Sequence, residues 1–374
     1  MKILYAGGLH FGEWKTYRTQ ALNELHTTGE ITQLFPKYHN GDWMWTQTLS
    51  EMGHDVIQFN YRFNFVIPLE AAVKEDRLWD IYASFSSDTV QAREEQNAMN
   101  TALLEMARRE KPDFFLTFLG ERIYPETIAK LQAFNITTVF WHERNFVHKK
   151  TPNVRESLPY YDFVFTYDPG LISVLKDVGV PDAHYLPFGC YPPLHRKMSP
   201  DEFEYEAYQT DVAFCGTLMP GRVELLRDIV DTGVEFWTHS WNDGLKRQFP
   251  ELAPRYRGEA RGMSMVQLLN ASKIVLNPHH ITNSITGTNM RTFEAGGCQT
   301  FLLSDYKPEL ERMFRIGAEI EVYHSLNELK EKIAYYLEHP DEREAMAHTL
   351  QQKMYAEHTY HHRFQEMLDV ISAT

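Results

Sequence analysis

Cysteine is scarce. Cys190, Cys215 and Cys298 are the only three in 374 residues, odd in number and far apart. That count excludes a disulfide framework and points to a reducing compartment, the cytoplasm. Positive charge is also in deficit: 37 Lys and Arg against 51 Asp and Glu leave a net charge of −14. Such a molecule as a whole repels nucleic-acid backbones and anionic membrane. No stretch approaches the roughly 20 apolar residues that cross a bilayer, and the apolar strand at Met1–Gly8 is too short for a signal peptide. A soluble protein with no membrane span is expected.

Several motifs are missing too. There is no His-Glu-x-x-His, no paired Cys-x-x-Cys, no Gly-x-x-x-x-Gly-Lys-Ser/Thr and no Gly-x-Gly-x-x-Gly. The familiar signatures of zinc, P-loop and dinucleotide sites are therefore absent. His361 and His362 are adjacent on an expected helix, where neighbours point apart, so they make a poor metal site. No metal and no cofactor is called for.

What is present is the composition of a folded chain, long enough for two domains. Strand signals fall at 2–6, 55–59, 114–118, 137–141 and 163–167, with helix-like sequence between them, notably 46–52 and 93–109. Strand and helix alternating in this way give a parallel sheet with helices on both faces. Prolines 187, 192, 193 and 200 then punctuate a segment that turns acidic and polar. The pattern resumes with strands at 212–215, 234–238, 274–276 and 300–303 and helices at 222–232, 265–271 and from Met290. Ser325 with Glu328 forms a capping box before another helix, and helices at 341–357 and 361–371 finish the chain. The expected organisation is a Rossmann-like domain over 1–190, a linker over 191–210, a second Rossmann-like domain over 211–350 and terminal helices over 351–374. The fold class is α/β, two doubly wound parallel sheets facing a central cleft.

The chemistry concentrates in the second half. Asn289-Met290-Arg291-Thr292-Phe293-Glu294 opens a helix at the carboxyl edge of a parallel sheet. A carboxylate there can accept hydrogen bonds from vicinal ribose hydroxyls, while the helix N-terminus and Arg291 offer N–H groups and positive charge to a diphosphate. The plainer reading is an acidic residue that complements the helix dipole. Asp211 to Arg222 is a strand running into a glycine loop, where Gly216 and Thr217 allow close backbone approach and Arg222 supplies charge. Any βα unit can look like this. Tyr256, and the strand leading to Asn277, Pro278 and His279, place further polar groups at the sheet edge. In the first half, His10 follows the first strand and His142-Glu143 the fourth. Each of these can deprotonate an acceptor hydroxyl, as can Glu13.

Tyr161 to Asp168, Tyr185 to Cys190, Asp211 to Gly216, Ser272 to Asn277 and Arg291 to Glu294 resemble, in order and spacing, the CgeB and spore-maturation group of GT-B glycosyltransferases. The likeness continues through Glu319-Ile320 and Tyr335-Tyr336-Leu337 to His358-Thr359-Tyr360 and Arg363. It spans roughly residues 135 to 370 and is poor before that. The resemblance implies a GT-B fold, a nucleotide-diphosphate sugar donor held mainly by the second domain, an acceptor held by the first, and terminal helices that cross back to the first. In related enzymes two glutamates separated by seven residues flank the donor. Glu294 matches the second of them and Thr286 stands at the first, which leaves retention versus inversion at the anomeric carbon open. The expected activity is transfer of a sugar, for instance from a UDP-sugar, to an acceptor hydroxyl on a glycan, protein or small molecule. A modified DNA base is a minority acceptor, with Lys149 and Lys150 as a local basic rim. The rivals are a nucleotide-sugar epimerase of the same fold, which turns over donor alone, and a non-catalytic sugar-nucleotide binding module.

Overall fold

Phe114-Phe-Leu-Thr and Phe163-Val-Phe-Thr carry no polar alternation, as suits strands covered by helices on both faces, and all eight residues are buried. They belong to a six-stranded sheet of order β2-β1-β3-β4-β5-β6. Its strands are β1 (Lys2–Gly7), β2 (Asp55–Asn60), β3 (Phe114–Thr117), β4 (Thr137–His142), β5 (Phe163–Thr166) and β6 (Ala183–Tyr185), and every pairing is parallel. A second, five-stranded sheet has the order β11-β10-β9-β7-β8, again parallel throughout. Its strands are β7 (Thr210–Cys215), β8 (Glu235–Trp237), β9 (Ser272–Asn277), β10 (Leu302–Asp305) and β11 (Glu321–Tyr323). The computed structural model describes residues 1–8, 14–31, 34–35, 37, 41–61, 69–76, 90–120, 122–142, 152–280 and 284–373.

The chain divides into two compact units, Met1–Thr166 with Leu171–Tyr185, and Tyr167–Gly170 with Leu186–Thr374. In the first, Leu4, Phe115, Phe140 and Val164 face Met99 and Leu103 of the helix Val90–Glu110. In the second, Val212, Phe214, Ile274, Leu276 and Leu303 meet Leu226, Leu329 and Ile333 from flanking helices. Both sheets are doubly wound, as the alternation of strands and helices predicts.

Differences from the sequence reading are local. The strands β6 and β11 are three residues each and were not anticipated, because neither carries an apolar run. Strand β10 begins at Leu302, two residues later than expected, and so carries Asp305 at its carboxyl end. The passage to the second unit falls at Tyr185–Leu186 rather than after 190. Residues 191–210 are also not a free linker. Tyr191, Leu194, His195 and Met198 are buried, and the Asn270 amide donates to Arg196 O (3.0 Å) while its Oδ1 accepts the Met198 N–H (2.8 Å). Prolines mark irregular backbone, and irregular backbone can still be packed. The helices Pro340–Glu357 and Tyr360–Ser372 are counted with the second unit. There the Tyr360 N–H donates to Cys190 O at 2.9 Å.

Candidate functional site

Strand order decides where a ligand can enter the second unit. The chain runs from β7 outward to β8, then returns to place β9 on the other side of β7. In open α/β sheets the loops that leave such neighbouring strands part in opposite directions and open a crevice at their carboxyl ends. Cys215, Asn277 and Asp305 end three of these strands.

Arg222 opens the helix Arg222–Asp228, behind Gly221 with its positive φ of 87°. The guanidinium turns back across the crevice. Its Nε donates to Pro278 O (2.9 Å) and its Nη1 to Thr217 O (3.2 Å), and it lies over the Phe214 ring at 5.8 Å. Gly216 lies beneath it: a Cβ there would come within 3.6 Å of Nη1. Burial holds the Arg222 pKa below its ordinary value, partly offset by Asp305, with Arg291 acting in the same direction as burial. Arg222 forms no ion pair among the described residues.

Across from it, the helix Met290–Gly297 starts at Asn289, whose extended backbone (φ −87°, ψ 172°) suits an N-cap. The Asn289 side chain bonds the neighbouring strand instead of its own helix. Its Nδ2 donates to Asn277 Oδ1 (2.8 Å), and Asn277 Nδ2 donates to Thr292 Oγ1 (3.1 Å). His279 is fully buried and held from both sides. Its Nδ1 lies 2.6 Å from Asp305 Oδ1, and its Nε2 accepts the Asn289 N–H at 3.2 Å and lies 3.0 Å from Thr288 Oγ1. An N–H needs a lone pair to accept it, so the ring proton sits on Nδ1 and is donated to Asp305. His279 thus fixes the start of the helix.

Arg291 and Glu294 are three residues apart on one face of that helix. Arg291 Nη1 donates to Glu294 Oε2 at 2.7 Å and touches Met265 Sδ, and Nη2 donates to Cys215 O at 3.3 Å. The Arg291 Nε–H is buried without a partner among the described residues. Burial works against the Arg291 charge, but the Glu294 carboxylate outweighs it and holds the pKa above the ordinary value. Glu294 is 8% exposed, its carboxylate shared with a cation rather than lost in apolar packing.

Arg222, Asn277, His279, Asn289, Arg291 and Glu294 are therefore joined at one sheet edge, with Gly216 and Thr217 below Arg222 and Met290 half-buried in the first helical turn. Tyr256 stands apart beyond β8. Its hydroxyl donates to Thr238 O (3.4 Å), and its ring lies 5.6 Å from Phe236. His10, Glu13, Glu143, Lys149 and Lys150 lie outside the described residues. His142 ends β4 opposite Thr166, and its side chain lies outside the described set. Asp305, Thr288 and Thr292 were missed as site supports. For Asp305 the available signal was an acidic residue closing an apolar strand.

Residues 222–369 match the family model described as Glycosyl transferase-like. Solved structures of the same fold span the whole chain. They include a sucrose-phosphate synthase from Thermosynechococcus elongatus (TM-score 0.64, 11% identity, 100% of this chain and 98% of that one). HepE of Anabaena, solved with UDP and glucose, aligns at TM-score 0.61 and 13% identity over 100% of both chains. AviGT4, a glycosyltransferase involved in avilamycin A biosynthesis, aligns at TM-score 0.57 and 15% identity, over 100% of this chain and 98% of its own. The class is a glycosyltransferase of the GT-B fold. Within it the chain is CgeB-like: it is 24% identical to spore protein CgeB of Bacillus subtilis (strain 168) over 254 residues, 63% of this chain and 76% of the relative. No helix among the described residues is long and apolar enough to cross a membrane.

Proposed function

We propose that the carboxyl edge of the second sheet holds the diphosphate and ribose of a nucleotide-sugar, and that its sugar passes to an acceptor hydroxyl. Arg222 and Arg291, with the N–H groups at the start of Met290–Gly297, neutralise the diphosphate. Glu294 accepts hydrogen bonds from the ribose hydroxyls. In the transfer the bond from the anomeric carbon to the diphosphate oxygen breaks, and negative charge gathers on that oxygen where the two guanidinium groups stand. The acceptor oxygen bonds to the anomeric carbon and gives its proton to a base from the first unit, with His10, His142 and Glu143 as the candidates. Cationic side chains do here what a divalent ion does elsewhere, so the reaction runs without metal and without a bound cofactor. UDP is the nucleotide in the HepE complex, and a uridine diphosphate donor is proposed on that ground. The buried free thiols Cys190, Cys215 and Cys298 support a cytoplasmic setting.

One observation carries the reading. Arg222 is half-buried and bonded only to main-chain carbonyls, so a desolvated positive charge stands at the crevice without a carboxylate to balance it. Charges so placed are retained for an anion. Titrating the full chain with UDP in a calorimeter tests it. A hydrogen bond to a charged group contributes about 1.5–3 kcal/mol, so Arg222→Ala should weaken UDP binding by roughly 10- to 100-fold. A folded Arg222→Ala protein that binds UDP as tightly as the parent would refute the assignment.

A further inference from the structure

Asp168 lies at the end of the Tyr161–Asp168 motif, and glycosyl transfer as described above gives it no task. It is completely buried, and Tyr167–Gly170 is counted with the second unit although the strand before it belongs to the first. Its carboxylate gathers the loop that leads into the donor helix. Oδ2 accepts the Ile285 N–H at 2.5 Å. Oδ1 accepts the N–H of Thr286 (3.1 Å), Gly287 (2.9 Å) and Gly170 (2.9 Å) and the Thr286 hydroxyl (2.8 Å). Three consecutive amides turned onto one carboxylate form a nest that holds the loop in a single conformation. Two glycines let the segments mesh. A Cβ on Gly287 would come within 2.8 Å of Asp168 Cα and Tyr167 O, and one on Gly170 within 2.9 Å of Ile285 Cβ.

The constraint continues into the site. Thr288 follows directly, its Oγ1 3.0 Å from His279 Nε2 and 2.6 Å from Thr292 Oγ1. Asn289 and the helix with Arg291 and Glu294 come next. We propose that Asp168 is a positioning residue of the donor site: by anchoring residues 285–287 it sets where the helix Met290–Gly297 begins, and so where Arg291 and Glu294 meet the nucleotide. This rests on the donor reading above. It also accounts for Thr286 at the place where related enzymes carry a glutamate: the threonine hydroxyl is a donor to Asp168, and a second carboxylate there would face the first.

The test compares the full chain with Asp168→Asn, Thr286→Val and Thr286→Ser, measuring UDP affinity by calorimetry and amide exchange over 284–290. Asn replaces one acceptor oxygen with a donor that faces other donors. Asp168→Asn should weaken UDP binding about tenfold or more and speed exchange at 285–287. Thr286→Val should shift both in the same direction by less, and Thr286→Ser, which keeps the hydroxyl, should restore them. A folded Asp168→Asn protein with parental affinity overturns the proposal, as does weaker binding with unchanged exchange at 285–287. Where Asp168→Asn does not fold, equal UDP affinity of the Val and Ser variants overturns it. A parent chain that fails to bind UDP, GDP and ADP alike sinks the donor reading itself, whatever the loop exchange shows.

Discussion

Two histidines tie the stability of the second unit to pH. His195 is buried with Nδ1 accepting the Tyr191 N–H at 3.0 Å. Burial, opposed by Glu294, pushes its pKa down to about 4. His358 is buried with Nδ1 facing the Arg363 guanidinium at 2.6 Å, and burial and that charge push its pKa down to about 3. Each ring resists a proton in the folded chain that it accepts once unfolded. Their contribution is complete above the unfolded value near 6.5 and is lost as pH falls through the interval down to about 4. Two protons bound on unfolding give a slope of about 2.7 kcal/mol per pH unit. Urea unfolding followed from pH 7 to pH 5 should show stability falling, and His195→Asn or His358→Asn should flatten the slope. An unchanged slope in both variants would contradict this account.

At the scale of elements, Met290–Gly297 depends on what packs behind it. A Cβ on Gly297 would come within 2.9 Å of His195 Cβ and 3.0 Å of Cys190 Cβ and His195 O, a packed segment that cannot easily yield. A Cβ on Gly296 would instead meet the Met354 side chain, with Cε at 2.7 Å, and a flexible thioether can move. Overpacking a rigid site costs about 1–3 kcal/mol. Thermal unfolding should therefore show Gly297→Ala clearly destabilised and Gly296→Ala much less so. Equal losses would mean that the helix shifts as a body. The cap at Ser325 shows how far a motif can be trusted. Ser325 Oγ accepts the Glu328 N–H at 3.2 Å as expected, but the Glu328 carboxylate reaches back one residue further, to the His324 N–H at 2.8 Å.

For the whole molecule, the net charge of −14 opposes any anionic ligand at long range. A nucleoside diphosphate must therefore be won by the few cations at the crevice. Such a ligand binds only the folded chain. At about 100 times its dissociation constant it stabilises the fold by about 2.7 kcal/mol. Melting the chain with and without UDP should show that rise, and amide exchange should place the protection at 215–222 and 277–294. Protection confined to other segments would move the site.

Sequence alone determined the architecture, because long buried strands such as 114–117 and 163–166 are apolar on both faces and nothing but helices can cover them. It also placed Asn289, Arg291 and Glu294 at a helix start, since N-cap chemistry and helical spacing are local. The short strands β6 and β11 were not legible, having too few residues for a pattern. Nor was the role of Asp168, which meets Thr286 from 118 positions away. Contacts between distant segments leave no periodicity to read. Only the folded chain decides which carboxylate receives which amide.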